Sequence, residues 1–331
     1  MRKWLIICAA GIQVLAIVFM AAGREFILLT GRTVYLRTAP IDPRDVFRGD
    51  YVRLDYEAGH ISGSLMAESL KKRISDPGGA GRRPLKIYAV LKEDGGLGEL
   101  ERVTDAVPGG GLFIRGRLEE YGPGGPIRAR YGIEAFFVEQ KKGLDLELGR
   151  NVEGIQVPLE MEVAVGRGGA AVLKGYRWSA LGMGLARETG TNRLIRAATV
   201  TLKNMSSNEI AIVDLPGGAS LSLENDFMRG PTDKEWSWVN AGQEPPAATD
   251  DHVRMLKPGQ AHDIRVDLSD PAWFVRKDGG KPVPISELGW GPWFRLVYRP
   301  PALEDCAHLG NAGKIWRGRL LSRAFNGGGM D

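Results

Sequence analysis

The first apolar residues of the chain form one block. From Trp4 to Ala22 the run is broken only by Gln13. Crossing a bilayer takes roughly 20 apolar residues in helix, whereas a secretory signal core holds about 7–15, so residues 1–23 read as an uncleaved anchor with residues 4–22 in the bilayer. Ala21 and Gly23 make a small-x-small pair, so cleavage near Gly23 is the competing reading. Ile7 ahead of Cys8 argues against a lipid-modified cysteine. Arg2 and Lys3 precede the run and Arg24 behind it is offset by Glu25, which predicts a cytoplasmic N-terminus. The expectation is a single-pass protein of the inner (cytoplasmic) membrane with its bulk periplasmic or otherwise extracytoplasmic.

Beyond the block the period of the pattern changes. Short apolar runs alternate with polar residues and are separated by clusters such as Pro77-Gly78-Gly79, Pro108-Gly109-Gly110-Gly111 and Pro123-Gly124-Gly125-Pro126, so the chain reads as mainly β. Strands are predicted at 33–36, 51–56, 85–92, 112–119, 127–137, 160–165 and 170–178. A helix is predicted over Ile61–Ile74, where apolar residues recur at spacings of three to five and Lys71, Lys72 and Arg73 gather in the last turn. The glycine-punctuated stretch from Leu181 to Gly190 breaks the alternation, which places a linker at 181–196 between a β-rich domain, 24–180, and a second domain, 197–331. Strands at 197–203, 209–213, 220–223, 263–268, 293–298 and 314–322, with a type II turn at Leu256–Gln260, make the second domain a β-sandwich whose architectural analogue is immunoglobulin-like.

One stretch carries more specific information. Asp42-Pro43-Arg44-Asp45 combines a fixed φ with side chains that bond nearby backbone amides, and Gly49 suits a positive φ, so a sharp turn is expected before Tyr51. After it, Val52, Leu54 and Tyr56 alternate with Tyr51, Arg53 and Asp55, as in a half-buried strand. At Gly49-Asp50-Tyr51, Leu54 and Tyr56 the chain resembles the bacterial GDYXXLXY family, and Tyr131-Gly132-Ile133-Glu134 with the following aromatics is similar to a second segment of that family, so the likeness covers roughly residues 24–175. The resemblance implies an N-terminal anchor and a neighbouring multi-pass membrane partner. It implies no activity and transfers no catalytic residue. Charges of alternating sign at Arg44, Asp45, Arg48 and Asp50 are read as groups that neutralise one another and fix the turn.

Candidate chemistry adds little. The four histidines, His60, His252, His262 and His308, lack HxxH or HExxH spacing, and no GxSxG, P-loop or strand-to-helix GxGxxG occurs, so neither metal nor cofactor is expected and no catalytic residue is assigned. Glu134 is weighed as a general acid with a raised pKa or, more simply, as a carboxylate paired with Arg44, Arg48 or Arg130. Cys8 lies in the anchor and Cys306 near the far end, so no internal disulfide is expected. A net charge of +4 over 331 residues, with basic pairs scattered among acids, argues against nucleic-acid binding.

Aromatic residues give the sharper hint. Six of eight tryptophans follow residue 235, and Trp236, Trp238, Trp290 and Trp293 stand in loop-like surroundings, where large faces with a polar handle serve a protein partner or a glycan. The leading expectation is a noncatalytic, membrane-anchored envelope protein that presents two β domains to a membrane or envelope protein. A glycan or cell-wall binding module and an envelope hydrolase are the alternatives.

Overall fold

The computed structural model describes residues 2–38, 51–75, 84–120, 127–137, 150–191, 193–226, 236–277 and 280–328. Helix α1 spans Arg2–Thr30 without a proline, and Ile6–Thr30 is long and apolar enough to cross a membrane. The helix therefore runs past residue 23, where the anchor was expected to end. Phe26-Ile27-Leu28-Leu29 is apolar, and nothing breaks the helix at Arg24-Glu25. At its end Gly31 N–H donates to Ile27 O at 2.8 Å, and β1 (Arg32–Arg37) begins at the next residue. Ile27 also packs on Gly166, in the turn that follows Val165. With one residue between them, helix and sheet have no room for a flexible tether.

The first unit is built on β1, β2 (Tyr51–Arg53), β3 (Leu85–Asp94), β4 (Leu97–Thr104), β5 (Leu112–Glu120), β6 (Arg128–Arg130), β7 (Ala135–Phe137), β10 (Leu159–Val165) and β11 (Ala171–Trp178). Seven of these form a sheet in the order β11-β10-β1-β4-β3-β5-β6, while β2 pairs with β7. The sheet curls until Arg115 N–H of β5 donates to Gly169 O in the β10–β11 turn at 2.7 Å. Its concave face contributes Val34, Leu36, Ile87, Ala89, Ile114, Met161 and Val163 to one apolar core. Leu54, Tyr56, Ile61 and Leu70 close that core from the other side. Each large aliphatic side chain buried there stabilises the unit by about 1.5–3 kcal/mol.

Two predicted elements of this unit are altered, and β4 lies where no strand was expected. The run 127–137 is split into β6 and β7 by a turn at Tyr131–Glu134, in which Gly132 takes φ of 82°. Only Glu68–Ser75, α2, is α-helical within the segment expected to be helical from Ile61. Ser62 accepts from Ser64 N–H and opens a short 3-10 turn instead, since a serine and Gly63 favour such a turn over a helix interior.

The second unit holds β12 (Leu181–Thr189), β13 (Ile195–Asn204), β14 (Ile210–Val213), β15 (Leu221–Asn225), β16 (Trp236–Trp238), β17 (Val253–Leu256), β18 (Ala261–Asp267), β19 (Val275–Lys277), β20 (Phe294–Tyr298) and β21 (Leu320–Leu321). It also takes β8 (Arg150–Val152) and β9 (Ile155–Val157) from upstream, giving a five-stranded sheet β18-β13-β12-β9-β8. This sheet and the three-stranded β15-β20-β21 share one core, including Leu181, Val200, Val266, Leu223, Leu296 and Tyr298. The stretch expected as a linker, 181–196, is thus largely strand. Its glycines have a packing reason: a Cβ at Gly182 or Gly184 would come within 2.6 or 2.7 Å of Ile155, so only glycine lets the β8–β9 hairpin lie against β12. At the expected type II turn Gly259 has φ of 77° and Gln260 N–H donates to Lys257 O at 2.9 Å.

Candidate functional site

Of the residues singled out in the sequence, Asp42, Pro43, Arg44, Asp45, Arg48, Gly49 and Asp50 lie outside the described residues, and Tyr51 is placed by its backbone in β2. The remainder meet at one place. Leu54 N–H donates to Glu134 O at 2.8 Å, and the Tyr56 hydroxyl donates to Ile133 O at 2.8 Å. The Tyr131 hydroxyl donates to Ala58 O. Glu134 turns back on its own loop, its carboxylate accepting from Tyr131 N–H at 2.5 Å and Gly132 N–H at 3.0 Å. The expected Arg130 partner is instead bound to Glu119 at 2.7 Å, because the two backbone amides of a tight turn already face the Glu134 carboxylate. Burial, with a smaller contribution from the nearby Glu134 charge, pushes both phenols well above their ordinary range.

The tryptophans do not form a row. Trp236 and Trp238 are half-buried in β16, not in a loop, and Trp238 stacks on buried Trp273 with centroids 5.4 Å apart. Its Nε1–H donates to Ala272 O at 2.8 Å. Trp293 is half-buried, while Trp290 is 59% exposed with one face over Gly328. Of the histidines, His252 caps its own turn by accepting from Thr249 N–H at 3.1 Å, which ties up the Asp250-Asp251-His252 run. Cys306 is buried, and burial pushes its thiol up. Among the described residues no group of three or more His, Cys, Asp or Glu is arranged to hold a metal.

What the sequence did not disclose is a cleft of about 530 Å³ where the two units meet. One wall is the segment Glu57–Leu65 with the start of β4; the other is β15, β16, β20 and β21. Its charges come in pairs. Arg295 holds buried Asp226 with contacts of 3.1 and 3.3 Å, and Arg299 reaches across the units to Glu99 at 2.6 Å. Arg37, buried at the base, bonds Glu160 at 2.9 Å and leaves its Nε and Nη1 without a hydrogen-bond partner among the described residues. Arg319 is held more loosely, 3.7 Å from Glu57 of the first unit and 3.5 Å from Glu224 of the second. Burial opposes its charge, but Glu224, Glu57 and Glu99 outweigh that and raise its pKa. His60 also lines the cleft and bonds Asp55 at 2.8 Å. One signal pointed here: an arginine inside the apolar run Phe294-Arg295-Leu296-Val297-Tyr298 needs a buried acidic partner.

The architecture is that of a β-rich protein with one candidate membrane span at its N-terminus and a charged cleft between two closed units. Residues 13–175, from within α1 to β11, match the family model described as GDYXXLXY protein. No curated protein matches the chain.

Proposed function

We propose that this is a noncatalytic envelope protein, held in the inner membrane by α1 with its bulk outside the cytoplasm, that presents two joined β units to a membrane-protein partner. The observation that carries the reading is the fate of the family segment. Leu54, Tyr56, Tyr131, Gly132 and Glu134 spend their polar groups on one another and on backbone atoms of the same unit, which is scaffold chemistry. Glu134 accepts two amide protons and does not line the cleft, which speaks against it as the acid of an envelope hydrolase. The direct passage of α1 into β1 supports the partner reading, because it holds the units at a fixed height over the bilayer. Trp290, exposed on the second unit, is the aromatic best placed for contact.

The test has two arms. A reporter fused after Asp331 should be active only if it folds outside the cytoplasm, and the protein should stay in the membrane through a high-salt wash. Cross-linking in native membranes should then capture one multi-pass membrane protein, with at least tenfold less capture by Trp290→Ala. A cytoplasmic reporter, or turnover of an envelope substrate abolished by Glu134→Gln in a folded protein, would overturn the reading.

A further inference from the structure

We infer that the cleft between the two units is a binding site for a neutral, polyhydroxylated ligand, a short uncharged oligosaccharide. Trp290, the proposed partner contact, does not line this cleft. A volume of about 530 Å³ is the scale of small-ligand sites and is too small to seat a folded partner, and junctions between units are where such sites form.

Charge narrows the ligand. Among the described residues the lining carries Arg37, Arg295, Arg299 and Arg319 against Glu57, Glu99, Glu224 and Asp226, four of each sign. A phosphate or sulfate entering beside Arg319 would meet three glutamates, and a polycation would meet the arginines. A neutral ligand meets neither penalty.

Hydrogen bonding narrows it further. Arg319 stands 3.7 and 3.5 Å from Glu57 and Glu224, beyond good hydrogen-bond distance, so its donors and their acceptors face one another without closing. A hydroxyl is the group that satisfies both, accepting from the guanidinium while donating to a carboxylate. Neighbouring hydroxyls on a pyranose would bridge Arg319 to both glutamates at once, one from each unit, so that the ligand completes the junction. Beside this polar set lie Trp236 and Trp238, with Trp238 held in orientation by its stack on Trp273 and its bond to Ala272 O. A rigid aromatic wall next to planar charged groups suits the C–H face and the hydroxyl rim of a sugar.

Binding is read on the full chain in a detergent without a sugar headgroup, since a maltoside would compete. Tryptophan fluorescence and calorimetry are followed on titration with maltotriose and with N,N′,N″-triacetylchitotriose, beside inorganic phosphate and trilysine. One neutral trisaccharide should bind, phosphate and trilysine should not, and Trp236→Ala and Arg319→Lys should each weaken the sugar at least tenfold. Where Arg319→Lys disturbs folding, Glu224→Gln replaces it, because that side chain is more exposed and keeps its shape; the same weakening is expected. A folded protein that binds neither trisaccharide, that binds phosphate or trilysine in their place, or that binds sugar unaffected by these substitutions overturns the proposal.

Discussion

The family-matched unit and the unit behind it differ in where the aromatic residues singled out in the sequence end up. In the first, Tyr56 and Tyr131 are buried and their hydroxyls cap backbone carbonyls of Ile133 and Ala58, so the rings join the segment after β2 to the turn between β6 and β7. In the second, Trp236 and Trp238 lie half-buried along the cleft and Trp290 stands at the surface. The described part of the signature, Leu54 and Tyr56 with the turn Tyr131–Glu134, therefore makes internal contacts, while Trp290 is exposed beyond residue 175 and the cleft lies at the junction. A motif that identifies a family need not be where the protein acts.

Substitutions ordered by expected effect separate the two regions. Leu54→Ala, which removes a fully buried side chain from the first core, should destabilise by about 2–5 kcal/mol in denaturant unfolding. Gly132→Val should cost about 1–3 kcal/mol: a Cβ there meets no neighbour, so the cost is the positive φ alone, and Gly132→Asn should recover part of it. Trp290→Ala should change stability by less than about 1 kcal/mol while carrying the loss of partner capture described above. If Leu54→Ala were neutral and Trp290→Ala unfolded the chain, the contrast between the regions would be reversed.

Alkaline pH sharpens the same contrast. Tyr56, Tyr131 and Tyr298 have phenols raised above the ordinary value of 10.0, chiefly by burial. Above that value the unfolded chain releases these protons while the native protein keeps them, so stability falls as pH rises past 10 and is unaffected by these groups below it. Each phenol should remove up to about 1.4 kcal/mol per pH unit there, and ultraviolet titration should show them ionising together with unfolding.

How far the sequence revealed this fold depends on where each polar residue finds its partner. Strands β1, β3, β5, β10 and β11 were legible as short apolar or alternating runs, although in β3 the run Ile87–Leu91 is buried on both faces. Strand β4, Leu97–Thr104, was missed because Glu99, Glu101 and Arg102 look like solvated loop, yet Glu99 is met by Arg299 of the other unit. Strand β12 was mistaken for a linker because the close approach of Ile155 requires glycine at 182 and 184, a tertiary fact with no local sign. The cleft was invisible for the same reason. Its walls come from residues near 57–65, 97–100, 223–238, 294–299 and 319–321, and only folding brings them together.

The claim that the family segment is scaffold is tested most directly by Tyr56→Phe, which deletes one hydroxyl and keeps the ring. Denaturant unfolding of the detergent-solubilised full chain should show a loss of about 1–3 kcal/mol, the cost of leaving the Ile133 carbonyl buried without its donor. Wild-type stability in this variant would contradict it.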